Sequence, residues 1–150
     1  MRIILGFLLL PMLSFCQKHI NQSRDGVMKD LKNYKPGSIS PLFAETDSTI
    51  TMSVKGTDFL PADFIYEFDK TGKCKSEKVI ASCDSCINKW LQATLKMGKY
   101  GWKKINENQY VSKFEDRMMI ELPPEGAMNN YTILRMEWTK VLYDLLTSAK

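Results

Sequence analysis

Cys83 and Cys86, in the run Cys83-Asp84-Ser85-Cys86, have the spacing of a redox pair. At a helix N-terminus such a C-x-x-C gains thiolate stability from the helix dipole, so Cys83 could attack a disulfide and Cys86 resolve it. Two features oppose that chemistry. Asp84 puts a negative charge beside Cys83 and disfavours its thiolate, and residues 73–81 read as a half-exposed hairpin strand rather than the buried parallel strand that precedes thioredoxin-like motifs. A static Cys83–Cys86 disulfide or two adjacent thiols is the competing reading. Cys74 stands apart, because an extended segment places it on the order of 20–30 Å from Cys83, far beyond the ~4.4–6.8 Å between Cα atoms that a disulfide needs. It reads as a small core residue.

Other chemistries lack their parts. His19 is the only histidine, and it lies near the start of the mature chain, where it is expected to be untethered. Without a second histidine, serine hydrolase and metallohydrolase sites lose their usual base or ligand. Zinc would have to recruit His19, Cys74, Cys83 and Cys86, of which only the last two have ligand spacing. Glu67, Asp69, Glu77 and Asp116 are the candidate acids for glycoside hydrolysis, but they sit among lysines, as in Glu77-Lys78, and read as solvated cross-strand charges. No glycine-rich phosphate loop is present, and no motif calls for a cofactor.

Binding has better candidates. Lys96-Met97-Gly98-Lys99-Tyr100-Gly101-Trp102-Lys103-Lys104 interleaves lysines with aromatics and suits an acidic partner, a glycan or lipid headgroups. The bland alternative is that Lys96 and Lys99 complement a helix C-terminus while Tyr100 and Trp102 begin a core strand. Phe59 and Leu60, before Pro61, put two large apolar side chains in a turn-like segment, either packed or exposed. The binding residues expected are therefore Phe59, Leu60, Lys99, Tyr100, Trp102 and Lys103.

The elements that must position these residues follow from periodicity. Ser23 caps a helix reaching about Tyr34, with Val27, Met28, Leu31 and Tyr34 on one face, ended by Pro36-Gly37. Residues 49–54 alternate strictly, as a strand with one buried face does. Residues 62–69 and 73–81 form a hairpin around Asp69-Lys70-Thr71-Gly72. A second helix starts at Asp84 or Ser85, buries Ile87, Trp90, Leu91 and Leu95, and is closed by Gly98. Short β-forming stretches joined by turns follow from residue 101 to residue 138, and Val141, Leu142, Leu145 and Leu146 mark a last short helix or frayed tail. The expectation is an α+β fold in the order α-βββ-α-βββ-α, an antiparallel sheet covered on one face by two main helices, with a possible pseudo-repeat of its halves.

The stretch from Phe64-Ile65-Tyr66-Glu67-Phe68-Asp69-Lys70-Thr71-Gly72-Lys73-Cys74 through the second helix and on to residue 138 resembles small exported bacterial α+β proteins of unknown function. In fold order it is also similar to the helix-plus-meander repeats of β-lactamase-inhibitor-like proteins. That resemblance implies a binding role by analogy and assigns no functional residue.

The chain has 150 residues, 44% of them hydrophobic and 25% charged, which fits one folded domain and excludes a disordered tail. Its first 16 residues read as a secretory signal: Ile3 to Leu10 are apolar but too few for the ~20 residues of a membrane helix, and Ser14 and Cys16 are the small residues of a cleavage site before Gln17. In the alternative, Cys16 is lipidated and the protein is a lipoprotein, the only case in which the sequence calls for a membrane. Residues 17–150 then form one α+β domain in the periplasm or outside the cell. The net charge of +4 is scattered, which argues against nucleic acid. The sequence leads us to expect an exported, non-catalytic binding protein whose partner is a protein or envelope component, with a thiol–disulfide oxidoreductase using Cys83 and Cys86 as the alternative.

Overall fold

The computed structural model describes residues 19–34, 40–55, 60–124 and 129–148, so the export segment, Pro36-Gly37 and Phe59 lie outside the described residues. The first helix, α1 (Arg24–Lys32), starts where Ser23 accepts a hydrogen bond from the Gly26 N–H, with Asp25 in its first turn and Lys29 and Lys32 in its last. It is followed by β1 (Leu42–Glu45), β2 (Thr49–Val54), β3 (Ala62–Phe68) and β4 (Cys74–Ala81). The second helix, α2 (Asp84–Leu95), leads into β5 (Lys103–Asn106), β6 (Gln109–Val111), β7 (Met118–Glu121) and β8 (Asn130–Arg135), and α3 (Lys140–Ser148) ends the chain.

The strands form one antiparallel sheet in the order β1-β2-β3-β4-β8-β7-β6-β5. Each half is thus a helix followed by a four-stranded meander, and the last strands of the two meanders meet at the centre. The expected fold class holds, with eight strands instead of six. Edge strand β1 is added, and every β-forming stretch of the second half pairs separately.

The hairpin turn forms as its residues require. Gly72 takes φ +74°, and the Asp69 carboxylate accepts from the Thr71 and Lys73 N–H groups and the Thr71 hydroxyl. The second helix closes differently from expectation. It ends at Leu95, and Gly98 opens a 3-10 turn, Gly98–Tyr100, after which Gly101 takes the left-handed conformation at φ 56°.

The first two helices lie on one face. Val27 and Leu31 of α1 and Ile87, Trp90 and Leu91 of α2 share a core with Ile50, Met52, Phe64, Tyr66, Val79, Ile120, Tyr131 and Ile133. The third helix is on the other face, because Tyr143 and Leu146 pack with Val111, Trp138 and Met119, and Met119 points away from its core neighbours Met118 and Ile120. The Tyr143 hydroxyl donates to the Ser112 carbonyl at 2.8 Å and pins that helix near β6.

Residues 19–23 enter as a short strap. The Asn21 N–H donates to the Cys74 carbonyl at 2.9 Å and the Cys74 N–H to the Gln22 carbonyl at 2.8 Å. The strap carries His19 into the core at 2% exposure, its ring edge-on to Tyr66. The expected untethered His19 is therefore corrected: backbone pairing with the start of β4 anchors it.

Candidate binding surface

An antiparallel register puts paired residues on the same face, so the pairing defines the surface opposite α1 and α2. One row crosses all eight strands: Ala44, Thr51, Ile65, Lys78, Thr132, Glu121, Gln109 and Asn106. A neighbouring row runs Leu42, Ser53, Asp63, Ile80, Asn130. The third helix packs against β5 and the residues of β6 and β7 beneath it. Over β2, β3, β4 and β8 the alternate residues Thr51, Ile65, Lys78, Ile80, Thr132 and Leu134 are half-buried.

The first row ends in a cleft of about 670 Å³ at the end of the sheet opposite the Asp69–Gly72 turn, lined by Asn106, Gln109, Glu121, Pro123, Asn130 and Thr132 among others. Its floor is ordered by a chain of side-chain hydrogen bonds. The Asn106 amide donates to Gln109 at 2.8 Å, and the Gln109 amide donates to Glu121 at 3.3 Å. The amides and the Thr132 hydroxyl offer donors and acceptors for a polar partner. Lys104, 2.9 Å from Glu107, offsets one carboxylate at the rim.

The residues singled out in the sequence are placed apart from one another. Leu60 is half-buried against the helix-side core and precedes β3, at the same end of the sheet as the cleft. Lys99, Tyr100, Trp102 and Lys103 lead into β5 at the opposite, hairpin end. Tyr100 is 8% exposed, and its ring lies 6.0 Å from that of Trp102, which is half-buried against the same core. Lys99 is exposed, 4.6 Å over the Tyr100 ring, and Lys103 is exposed on β5. The two described aromatics are packed and the lysines are left outside, so the five described residues do not make one patch; Phe59 lies outside the described residues.

Cys83 and Cys86 form a disulfide with Cα atoms 5.2 Å apart. Cys83 is half-buried at the N-cap of α2, whereas Cys86 is buried in the core. Cys74 is unpaired and buried, and burial together with the nearby Glu77 pushes its thiol far above the ordinary range. Among the described residues no group of three histidine, cysteine or acidic side chains is placed to hold a metal, and no helix is long and apolar enough to cross a membrane.

Glu77, read in the sequence as a solvated charge, is instead 2% exposed on the helix side of the sheet. A bulge between Glu67 and Phe68 shifts the register, so that Cys74 pairs with Phe68 and Glu77 with Tyr66. One Glu77 oxygen accepts from the His19 N–H at 3.1 Å; the other has no hydrogen-bond partner among the described residues. Burial holds its pKa well above the ordinary carboxylate value. Asp69, at the surface, is held far below that value by hydrogen bonds from Thr71 and Arg135, the latter at 2.6 Å. The remaining acids named for glycoside hydrolysis do not converge on Glu77: Glu67 is exposed on the opposite face, and Asp116 lies in a 3-10 turn between β6 and β7. No family model, no curated protein and no solved structure matches the chain.

Proposed function

We propose that this chain is an exported, non-catalytic binding protein of the cell envelope or exterior, and that its partner, a protein or envelope component, lies along the uncovered sheet face and into the end cleft. The observation that carries this reading is the row Thr51, Ile65, Lys78, Thr132, Glu121, over which no described helix packs, while α1 and α2 occupy the opposite face. Ile65 in this row, with Ile80 and Leu134 in the rows on either side, supplies apolar contact area on the same face, and the hydroxyls and the cleft amides supply directional contacts. The helix-plus-meander order, repeated twice, agrees with the binding role implied by its resemblance to inhibitor-like repeats.

The test is cross-linking of the protein in its own envelope fraction. Ile65→Glu should lower recovery of a specific partner about tenfold, the effect of losing one contact worth ~1.4 kcal/mol, with the melting temperature within a few degrees of the native protein. Lys103→Glu should leave recovery unchanged. Undiminished capture by the Ile65 variant overturns the assignment. A second reading, a thiol–disulfide oxidoreductase, is favoured by one observation: Cys83 is the more accessible sulfur and caps α2, where the dipole lowers a thiol pKa. It requires dithiol turnover that disappears in Cys83→Ser.

A further inference from the structure

Glu77 is a carboxyl shut inside the core with half of its support missing. It is buried on the helix side of the sheet, opposite Tyr66 of β3 and Ile133 of β8, which are buried too. One of its oxygens accepts from the His19 N–H at 3.1 Å, and the other has no hydrogen-bond partner among the described residues. Its one donor thus belongs to the strap. Such a site holds a neutral carboxyl far more easily than a carboxylate, which would need water or a cation at the free oxygen.

The backbone of the strap is bent and lightly attached. Apart from the His19 bond, its hold on β4 is the Asn21 N–H on the Cys74 carbonyl and the Cys74 N–H on the Gln22 carbonyl. Asn21 takes φ 69°, a left-handed conformation that asparagine tolerates but that still stores backbone strain. Beyond it the chain is fixed: Ser23 bridges Lys73 and caps α1, and the Arg24 N–H donates to the Gly72 carbonyl at 3.0 Å. A hinge at residues 21–22 therefore leaves α1 in place while His19 swings away.

The titratable groups facing Glu77 are His19 on the strap, Tyr66 on β3 and Cys74 on β4. The His19 ring stands edge-on to Tyr66, with its Nδ1 3.0 Å from the Gln22 side-chain oxygen. Tyr131 of β8 lies farther along and is hydrogen-bonded to Thr94 of α2. The buried side chains of α1, α2 and β8 on this core carry no charge. Arg135 is engaged at the surface by Asp69 at 2.6 Å and Asn21 at 3.2 Å, and among the described residues no lysine or arginine pairs with Glu77. Water reaching past the strap is then the remaining way to support an ionised Glu77.

We propose that the strap is a pH-sensitive latch, closed over Glu77 while that carboxyl holds its proton and swung out about residues 21–22 when the proton passes to water, with the sheet left intact. Opening breaks the His19 bond to Glu77 and both backbone bonds to Cys74, and it lets Asn21 leave its left-handed conformation. In the open form Glu77 titrates near its ordinary value of 4.5, whereas burial raises that value in the closed form. Between the two values opening releases a proton, so the open fraction grows about tenfold for each pH unit; outside them it is flat.

The experiment is amide hydrogen exchange of the naturally processed protein, native and Glu77→Gln, compared at each pH from 5 to 8 so that the intrinsic pH dependence of exchange cancels. His19 and Cys74 are present in both proteins, so a difference belongs to Glu77. The Asn21 and Cys74 amides should be about a hundredfold less protected than those of Ile65 and Tyr131 in β3 and β8, because the latch opens without global unfolding. Their protection in native protein should fall about tenfold per pH unit relative to the variant. Equal protection of strap and sheet amides overturns the proposal, since Glu77 would then meet water only when the whole fold opens. So does a strap protection that follows the same course with pH in both proteins. Should Glu77→Gln fail to fold, Glu77→Met, apolar and of similar length, removes the same proton and decides in its place.

Discussion

Glu77 and Asp69 sit at the two ends of one short stretch of chain and pull stability in opposite directions with pH. Glu77 binds its proton more tightly in the fold than in the unfolded chain, because burial disfavours the carboxylate and only the His19 N–H supports it. The stability it contributes is fully present below the ordinary value of 4.5 and is lost as pH rises from there through its raised folded value. Asp69 behaves oppositely: its contribution is present above its ordinary value of 3.8 and is lost as pH falls below it. These two groups together favour a stability maximum in mildly acidic solution, near the interval between the two ordinary values. Glu77→Gln keeps the shape and the acceptor for His19 while removing the titration. It should raise the melting temperature at pH 8 by several degrees, on the order of 1–3 kcal/mol for a buried polar atom left unsatisfied, and flatten the decline above pH 5. Superimposable melting temperature against pH curves for the two proteins would sink this account of Glu77.

At the scale of elements, the Cys83–Cys86 bridge closes so short a loop that its entropic contribution is about 2 kcal/mol, the low end for disulfides. Peptide mapping of native protein should recover that bridge, with Cys74 alkylated only after unfolding, since its sulfur is enclosed by the core. A Cys74–Cys83 bridge, or rapid alkylation of Cys74 in the folded protein, is the contrary result. Strands with one wet face were legible in the sequence because burial alternates along them: Ile50, Met52 and Val54 in β2, and Phe64, Tyr66 and Phe68 in β3, all lie inside. The edge strand β1 was not legible, because all four of its residues are exposed and leave no alternation to read. Nor was the placement of Glu77. Uninterrupted alternation puts Cys74 and Glu77 on opposite faces, and only the bulge, a property of the pairing with β3, brings both inside. Likewise, nothing local in Tyr100 and Trp102 distinguishes a packed strand entrance from an exposed aromatic patch; that is decided by α2 and the sheet closing over them.

Across the whole molecule, two helices crowd one face, a third covers part of the other, and the strap ties the start of the described chain to the hairpin end. The helix-covered core was foreseeable from apolar periodicity, whereas the uncovered face could be found only once strand order and register were known. The strap sets a sharp lower limit on the folded body. It supplies the Ser23 cap of α1, two backbone hydrogen bonds to Cys74, the buried His19 ring against Tyr66, the N–H that Glu77 accepts from, and the Asn21 partner of Arg135. Removing it would unpair the start of β4, open the core above Glu77 and leave that carboxyl without its donor. A chain beginning at Gln17 should therefore melt cooperatively, and one beginning at Arg24 should lose 10 °C or more, about the effect of removing a helix cap, ~1 kcal/mol, together with a buried hydrogen bond and ring of ~1–3 kcal/mol. Calorimetry of the two chains decides it: equal melting temperatures would show that residues 19–23 merely lie on the surface, and a cut before Gln17 would then carry no structural meaning.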